Sequence, residues 1–130
     1  MSMNDPIMNA FTIIRNAELA SKRECMIKPA SKFLGEILKI AKQNEYIEDY
    51  KMDDNNGIIS YKINLNGKIN TCKGIKPRFA VKTTDFEKYE KRYLPARDVG
   101  IIIVSTSQGV MTQIDAKKKG LGGRLVAFIY

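Results

Sequence analysis

The sequence contains no histidine and no tryptophan, and it contains only two cysteines. Histidine is the usual base that activates a serine or cysteine nucleophile, so its absence weighs against most enzymatic mechanisms. Cys25 and Cys72 each lack a second cysteine nearby, so neither a zinc site nor a disulfide framework explains them. We expect no catalytic residues, no cofactor and no metal, and we interpret both cysteines as small buried apolar residues.

Long apolar runs are also missing. No segment approaches the length of about 20 residues that a membrane-spanning helix needs, and the first residues lack the apolar core of a signal peptide. We therefore expect a soluble cytoplasmic protein without a membrane partner. The apolar fraction of 44% still predicts a folded chain, and 130 residues suffice for one core or for two small modules.

Negative charge is scarce relative to positive charge. The chain has 22 Lys and Arg residues against 14 Asp and Glu residues, a net charge of +8 that is typical of proteins with a nucleic-acid partner. Residues 1–75 have 11 basic and 9 acidic side chains, a net +2, whereas residues 76–130 have 11 and 5, a net +6. The positive excess therefore lies in the C-terminal part of the chain.

Hydrophobic periodicity predicts an α+β protein of two packed modules, residues 1–75 and 76–130. The first module is predicted to be of αβαββ type, with two helices on one face of a sheet. Its Asn66-Gly67 pair favours a two-residue type I′ hairpin. The predicted elements are a helix starting at Asp5-Pro6 with the apolar stripe Ile7, Ala10, Phe11, Ile14 and Ala17, an extended piece over 25–28, a helix capped by Ser31 and ending at Asn44, and strands over 46–52, 59–65 and 68–72.

The second module is predicted to be mainly an antiparallel sheet with one or two short helices. The strand over 124–130 is apolar on both faces, so it should lie inside that sheet. Gly122 and Gly123 follow a helix instead of leading into one, so we interpret them as a tight start to this strand and not as a phosphate loop. The other predicted elements are strands over 78–82 and 101–104, a helix over 85–92 with Thr84 and Glu87 as capping box, and a helix over 113–119 capped by Thr112 and ended by Gly120.

Three consecutive hydroxyl side chains, Ser105, Thr106 and Ser107, follow the predicted strand over 101–104. Hydroxyl groups both donate and accept hydrogen bonds, so such a row suits phosphate oxygens and ribose hydroxyls. Gly109 lets the backbone turn sharply and lets a partner come close. We call residues 105–109 the hydroxyl loop; the alternative interpretation is an ordinary polar turn.

Several stretches, in order over essentially the whole chain, match one known pattern. The most specific is Ser-Thr-Ser-Gln-Gly-Val-Met-Thr at 105–112. The others are Asn4-Asp5-Pro6-Ile7, Ile14-Arg15-Asn16-Ala17, Lys28-Pro29-Ala30-Ser31-Lys32, Ala116, Gly122-Gly123 and Tyr130. Together they resemble the family of the eighth protein of the small ribosomal subunit. Residues 75–79, 85–93 and 94–97 are similar to its archaeal and eukaryotic branch, and bacterial members usually carry lysine where this chain has Gln108.

The resemblance implies a protein of the ribosome that binds the central domain of small-subunit ribosomal RNA at an irregular helix, early in subunit assembly. It implies specific contacts from the hydroxyl loop, backbone contacts from the N-terminal module and neighbouring ribosomal proteins as further partners. Independently of the resemblance, we expect the free chain to be a monomer whose two modules have a fixed orientation, because no flexible linker separates them. Some family members also repress their own messenger RNA. The implied contact residues of the loop are Ser105, Thr106, Ser107, Gln108 and Gly109. From their charge we further expect phosphate contacts from Arg78, Lys82 and Arg124, and then RNA contacts from Arg15, Lys32 and Lys117.

Plain solvation is the alternative for the charged residues of that set, because surface cations usually have no partner. Three competing functions also remain. A general RNA or DNA chaperone would bind by charge alone. Aromatic residues interleaved with basic ones on an exposed face would favour it, and the sequence does not make such an arrangement evident. A small phosphate-dependent enzyme is disfavoured by the missing histidines, and a protein adaptor would not need the charge of +8.

Overall fold

The computed structural model describes residues 6–28, 31–76, 78–96 and 98–130. The chain divides into two compact units, Met1–Cys72 and Lys73–Tyr130. Helices and strands occur in both units, and the predicted α+β class is confirmed. Every helix within the described ranges is too short or too polar to span a lipid bilayer.

The first unit has the predicted order of helices and strands and contains a three-stranded antiparallel sheet. The elements are α1 (Pro6–Leu19), β1 (Glu24–Ile27), α2 (Lys32–Gln43), β2 (Ile47–Asn55) and β3 (Ile58–Leu65). The middle strand of the sheet is β3, which pairs with β1 on one side and with β2 on the other.

Local sequence signals explain both helices. The predicted apolar stripe of α1 is buried at all five positions, and Ser31 caps α2 by accepting a hydrogen bond from the amide of Leu34 at 3.1 Å. Asn44 ends α2, as predicted, and its side chain donates to the carbonyl of Ile40. Asp5, the predicted cap of α1, lies outside the described residues.

The type I′ hairpin lies at Asn56-Gly57 and not at Asn66-Gly67. Strands β2 and β3 pair as far as Asn55 and Ile58, which leaves Asn56 and Gly57 as the loop, with φ angles of 56° and 85°. Both loop residues of a type I′ turn need positive φ.

The predicted return strand over 68–72 is wrong, because residues 68–71 form no strand. The side chain of Asn66 instead accepts from the amide of Lys68 and donates to the carbonyl of Glu45, and the amide of Ile69 donates to a carboxylate oxygen of Glu18 in α1. Side-chain oxygens thus replace a strand partner over this segment.

The second unit contains a five-stranded sheet and two α-helices. The elements are β4 (Cys72–Gly74), β5 (Ala80–Val81), a 3-10 turn (Thr83–Asp85), α3 (Phe86–Tyr93), β6 (Ile101–Thr106), β7 (Gly109–Thr112), α4 (Gln113–Lys119) and β8 (Gly123–Ile129). The strand order is β4-β8-β6-β7, with β5 also paired to β8. Strand β8 therefore lies inside the sheet, as its apolar sequence predicted. The pairs β5–β8, β6–β8 and β6–β7 are antiparallel.

The two helices of the second unit differ in how well the sequence predicted their starts. Helix α4 has the predicted bounds, with Thr112 accepting from the amide of Asp115 at 3.2 Å and Gly120 ending it at a φ of 66°. The capping box predicted for α3 is wrong, because the 3-10 turn precedes the helix and Asp85 occupies the cap position without a side-chain cap bond to any described residue.

One hydrophobic core joins the sheet of the second unit to its helices. Phe86 of α3 and Ala116 of α4 are fully buried within it. The other buried members are Ile75, Val81, Leu94, Ile102, Val104, Met111, Leu125 and Phe128. The end of β6, where the hydroxyl side chains begin, is therefore fixed by a packed core on one face of the sheet.

Candidate nucleic-acid interface

The hydroxyl loop is the end of a β-hairpin and not an open loop. Ser105 and Thr106 are the last two residues of β6, Ser107 and Gln108 form the two-residue turn, and Gly109 begins β7 opposite Thr106. The sequence predicted all three hydroxyls to lie on a turn, and it did not predict β7. Gly109 has a φ of 112°, which L side chains rarely adopt, and no atom lies within 4 Å of the position of a Cβ there. The glycine is therefore required by backbone conformation.

The three hydroxyl groups are not equivalent. The Thr106 hydroxyl donates to the carbonyl of Gly109 at 2.8 Å and accepts from the amide of Gln108 at 3.1 Å, so it holds the hairpin turn closed. Within the described part of the chain, the hydroxyls of Ser105 and Ser107 make no hydrogen bond. They are therefore available to form hydrogen bonds with a ligand, whereas the Thr106 hydroxyl already donates its proton to the Gly109 carbonyl.

Strand register aligns a basic side chain with Ser105. Ser105 lies opposite Arg124 of β8, and Arg124 lies opposite Ala80 of β5. Directly opposed residues on neighbouring strands project from the same face of a sheet, so these three side chains form one row across β6, β8 and β5. The Arg124 guanidinium also donates to the carbonyl of Arg78 at 3.4 Å, so this side chain extends toward the residues that precede β5.

A shallow groove of about 550 Å³ runs along this row. It contains two cationic side chains and no carboxylate. We call it the hydroxyl groove, and its lining residues are Ala80, Val81, Lys82, Ser105, Thr106, Ser107, Gly123 and Arg124. Such a combination of cations and hydroxyl groups suits a phosphodiester backbone and its ribose hydroxyls.

Two adjacent glycines let β8 approach both neighbouring strands at the floor of the groove. A Cβ on Gly123 would lie 2.4 Å from the carbonyl oxygen of Ser105, and a Cβ on Gly122 would lie 2.5 Å from that of Val81. Both distances are far below van der Waals contact with backbone atoms. Glycine is therefore required for steric reasons at both positions, next to β6 at Gly123 and next to β5 at Gly122, where the sequence predicted a tight start of the strand.

Carboxylates of the second unit are concentrated elsewhere. A larger cleft of about 800 Å³ is lined by Glu87, Glu90 and Asp98 together with three lysines, so its charges balance. Lys117 lies there, and its ammonium group forms an ion pair with Glu90. Lys117 was predicted as an RNA contact, but the structure places it in this cleft and gives its charge a partner.

The remaining predicted site residues do not line the hydroxyl groove. Gln108 is exposed at the hairpin tip, and Arg78 is exposed next to β5. Arg15 is exposed on α1, and Lys32 is exposed at the first position of α2, both in the first unit. The structure therefore brings together the three hydroxyl residues, Lys82 and Arg124.

Gln113 is a buried polar residue that the sequence did not single out. Only 1% of it is exposed. Its side-chain carbonyl accepts from the amide of Ile102 at 2.7 Å, and its amide nitrogen donates to Glu90 at 3.1 Å. It connects the start of β6 to α3, and its position directly after the helix cap Thr112 was the only signal in the sequence.

Neither cysteine has the environment of a reactive thiol. Cys72 is buried, as predicted, and its Sγ donates to the carbonyl of Phe11 at 3.5 Å. Cys25 is half-buried. Burial raises the pKa of Cys72 to about 12 and that of Cys25 to about 11, so both thiols stay protonated at neutral pH and are poor nucleophiles. No group of three His, Cys, Asp or Glu residues in the described ranges could hold a metal ion.

Nearly the entire chain matches a known protein family. The family described as Ribosomal protein S8 matches residues 5–130, which include the hydroxyl groove. Its members are structural proteins of the small ribosomal subunit that function in translation, bind ribosomal RNA and have ribosomal proteins as neighbours; it is not a family of enzymes. The resemblance seen in the sequence is confirmed, and the chain belongs to the ribosomal protein S8 family.

Proposed function

We propose that the protein binds the central domain of small-subunit ribosomal RNA directly through the hydroxyl groove and helps to nucleate assembly of the subunit. One observation carries this proposal: the hydroxyls of Ser105 and Ser107, unbonded within the described residues, share a groove with Lys82 and Arg124 and with no carboxylate. Because the chain belongs to a family of ribosomal proteins, we infer that the bound RNA is ribosomal.

The chemistry of the groove suits an irregular RNA helix. The major groove of A-form RNA is too deep and narrow for side chains, so recognition uses ribose hydroxyls, the wide minor groove and distorted bases. Ser105 and Ser107 are short and can donate and accept, so they fit a surface that presents both donors and acceptors. Lys82 and Arg124 neutralise phosphates on either side, with Arg124 held in line by the Arg78 carbonyl.

Other residues of the predicted set have secondary roles in this proposal. Gln108 lies at the hairpin tip without a charge, so it would contribute hydrogen bonds instead of the phosphate contact of a lysine. Arg15 and Lys32 are exposed and would contact adjacent RNA backbone from the N-terminal module, residues 1–75. The free protein would be a monomer and would act on the ribosome in the cytoplasm. An mRNA segment of similar shape would occupy the same groove, which would allow repression of the protein's own messenger.

Serine variants test the specific part of this proposal. Ser105→Ala or Ser107→Ala removes a hydroxyl without changing charge and leaves its RNA partner unpaired, which costs ~1–3 kcal/mol. Affinity for a central-domain fragment of the ribosomal RNA should fall about tenfold, and the dependence of affinity on salt should not change. Filter binding over a range of salt concentrations measures both quantities. Thr84→Ala, at an exposed threonine of the 3-10 turn and outside the groove, also removes a hydroxyl without changing charge; it is the control and should bind like the parent.

Charge variants give the opposite pattern. Arg124→Ala or Lys82→Ala should weaken binding of the cognate fragment and of random RNA alike, and should reduce the salt slope by roughly one unit for each phosphate that is no longer neutralised. Circular dichroism establishes that each variant is folded. If folded Ser105→Ala and Ser107→Ala both bind the cognate fragment as tightly as the parent, the hydroxyl groove does not provide the specificity.

A further inference from the structure

Five aromatic rings of the second unit form a continuous series of contacts. Ring centroids lie 5.8 Å apart for Phe79 and Tyr89, 6.5 Å for Tyr89 and Tyr93, 5.3 Å for Tyr93 and Phe128, and 6.0 Å for Phe128 and Tyr130. The last three pairs are stacked, with interplanar angles of 11°, 26° and 12°. Phe128 is buried, but the other four residues are partly exposed. The series therefore continues from the core onto the surface.

Two exposed cations lie over these rings. The guanidinium of Arg92 is 5.7 Å from the centroid of Phe79 and 5.4 Å from that of Tyr93, and the ammonium of Lys88 is 5.7 Å from that of Tyr89. These distances are within the range of cation–π attraction. Neither cation forms an ion pair with a described residue, so their charges are not neutralised by a carboxylate there. We call these five residues, Phe79, Lys88, Tyr89, Arg92 and Tyr93, the aromatic–cation surface.

Helix α3 separates its charges onto two sides. Residues at spacings of three and four share a helix face, so Lys88, Arg92, Tyr89 and Tyr93 cluster on one side. Glu87 and Lys91 pair with each other on the other side, and Glu90 pairs with Lys117. The aromatic side of the helix thus carries positive charge only, although α3 as a whole contains both acidic and basic residues.

We propose that the aromatic–cation surface is a second RNA site, which binds unpaired nucleotides by stacking of their bases. Bases of single-stranded RNA stack on tyrosine rings and on the plane of an arginine guanidinium, and their phosphates are attracted by adjacent cations. Both elements are present here. The hydroxyl groove lacks aromatic residues and suits structured RNA, so the two surfaces take different forms of RNA.

The sequence did not reveal this combination because Phe79 lies in a different segment from the other four residues, which share one face only once α3 has formed. Phe79 precedes β5, whereas the two tyrosines and both cations belong to α3. Aromatic and basic residues therefore share a partly exposed face in the folded second unit, an arrangement that the sequence did not make evident.

A matched pair of variants in the full chain tests the proposal. Arg92→Ala and Lys91→Ala each remove one positive charge from adjacent positions of α3, but only Arg92 lies on the aromatic–cation surface. The probe is a fluorescently labelled single-stranded oligouridylate of about twelve nucleotides, measured by anisotropy. Arg92→Ala should weaken binding at least about fivefold and Lys91→Ala less than about twofold, since the removal of a stacking partner costs more than the removal of a screened charge. Arg92→Lys keeps the positive charge but removes the planar guanidinium on which a base can stack, so it should also weaken binding.

Two further measurements separate this site from the hydroxyl groove. Ser105→Ala should bind the oligouridylate like the parent, even where it loses affinity for the ribosomal fragment. An oligonucleotide containing 4-thiouridine should crosslink to the peptide that carries Tyr89 and Tyr93. The proposal is overturned if Arg92→Ala and Lys91→Ala, both folded by circular dichroism, weaken binding equally, or if the crosslinks fall only within residues 105–109. Should Arg92→Ala not fold, Arg92→Lys and the crosslinks decide the question.

Discussion

At the scale of single residues, the hydroxyl groups of Ser105, Thr106 and Ser107 have different roles. Their identities suggested one shared role, because side chains of the same type followed one another on a predicted turn. Thr106, however, is paired with Gly109 in the β-ladder, and its hydroxyl donates a hydrogen bond to the Gly109 carbonyl that closes the hairpin. That division could not be predicted from the sequence, since it depends on where β7 begins.

Thr106→Val should therefore destabilise the second unit without removing a direct RNA contact. The variant keeps the β-branched shape but loses both hydrogen bonds of the hydroxyl, which at this exposed site should lower the free energy of unfolding by about 1 kcal/mol. Urea unfolding followed by circular dichroism measures the change. Thr106→Ser, which retains the hydroxyl, should stay close to the parent. Equal stability of parent and valine variant would show that these two bonds do not hold the turn.

At the scale of elements, Gln113 acts in place of a missing strand residue. Strand β7 ends at Thr112, opposite Ile103, and the chain then turns into α4. The amide of Ile102 would be left in the core without a ladder partner, but the side-chain carbonyl of Gln113 accepts from it. The first residue of α4 thus completes the edge of β6.

Gln113→Ala should leave the Ile102 amide buried and unpaired. The expected loss is about 1–3 kcal/mol in the free energy of unfolding, together with faster hydrogen exchange at the Ile102 amide. Gln113→Glu keeps an acceptor but places a second carboxylate beside Glu90, which raises the pKa of the new group above its unfolded value. Its destabilisation should be present at neutral pH and relieved as the pH falls through the carboxylate range. Unfolding of the Glu variant with no pH dependence beyond that of the parent would contradict this account.

The sequence predicted well the apolar stripe of α1 and the caps of α2 and α4, whereas it predicted neither the position of the first-unit hairpin nor the absence of a strand over 68–71. The stripe of α1 and the caps of α2 and α4 depend on residues within a few positions of one another. Asn56-Gly57 and Asn66-Gly67 are the same dipeptide, and only the register of β2 with β3 makes the first a hairpin. The second is followed by Ile69, which is held by Glu18 of α1, a contact that no local pattern contains.

At the scale of the whole molecule, a net charge of +8 says less than the position of each charge. The sequence located the excess in residues 76–130, and Lys82 and Arg124 do line one groove with the hydroxyl residues. It could not show that Lys117 is paired with Glu90 or that Arg92 lies over two rings. The contacts of Lys117 with Glu90 and of Arg92 with Phe79 join residues that are distant in the sequence, and the residue types of the two cations alone predict ordinary solvated side chains.

Lys82 and Lys117 should consequently differ in their effect on RNA binding. Lys82→Ala should reduce the slope of log affinity against log salt by roughly one unit, whereas Lys117→Ala should change it much less because Glu90 already neutralises that ammonium. Filter binding of random RNA in a salt series measures both slopes. Glu90→Gln removes the partner of Lys117 and should increase affinity for random RNA. Equal slopes for the two lysine variants would show that the ion pair does not persist in the complex.

The adjacent glycines Gly122 and Gly123 have a consequence for genetics. A screen for mutants that fail to assemble small subunits would recover changes at these positions, although neither residue has a side chain that could contact RNA. Any replacement of Gly123 forces β8 away from the Ser105 carbonyl, and any replacement of Gly122 forces it away from Val81. The mutants would lose recognition with the cationic and hydroxyl residues intact. Suppressors would be expected in β5 or β6, at positions that widen the strand spacing, and not among the basic side chains.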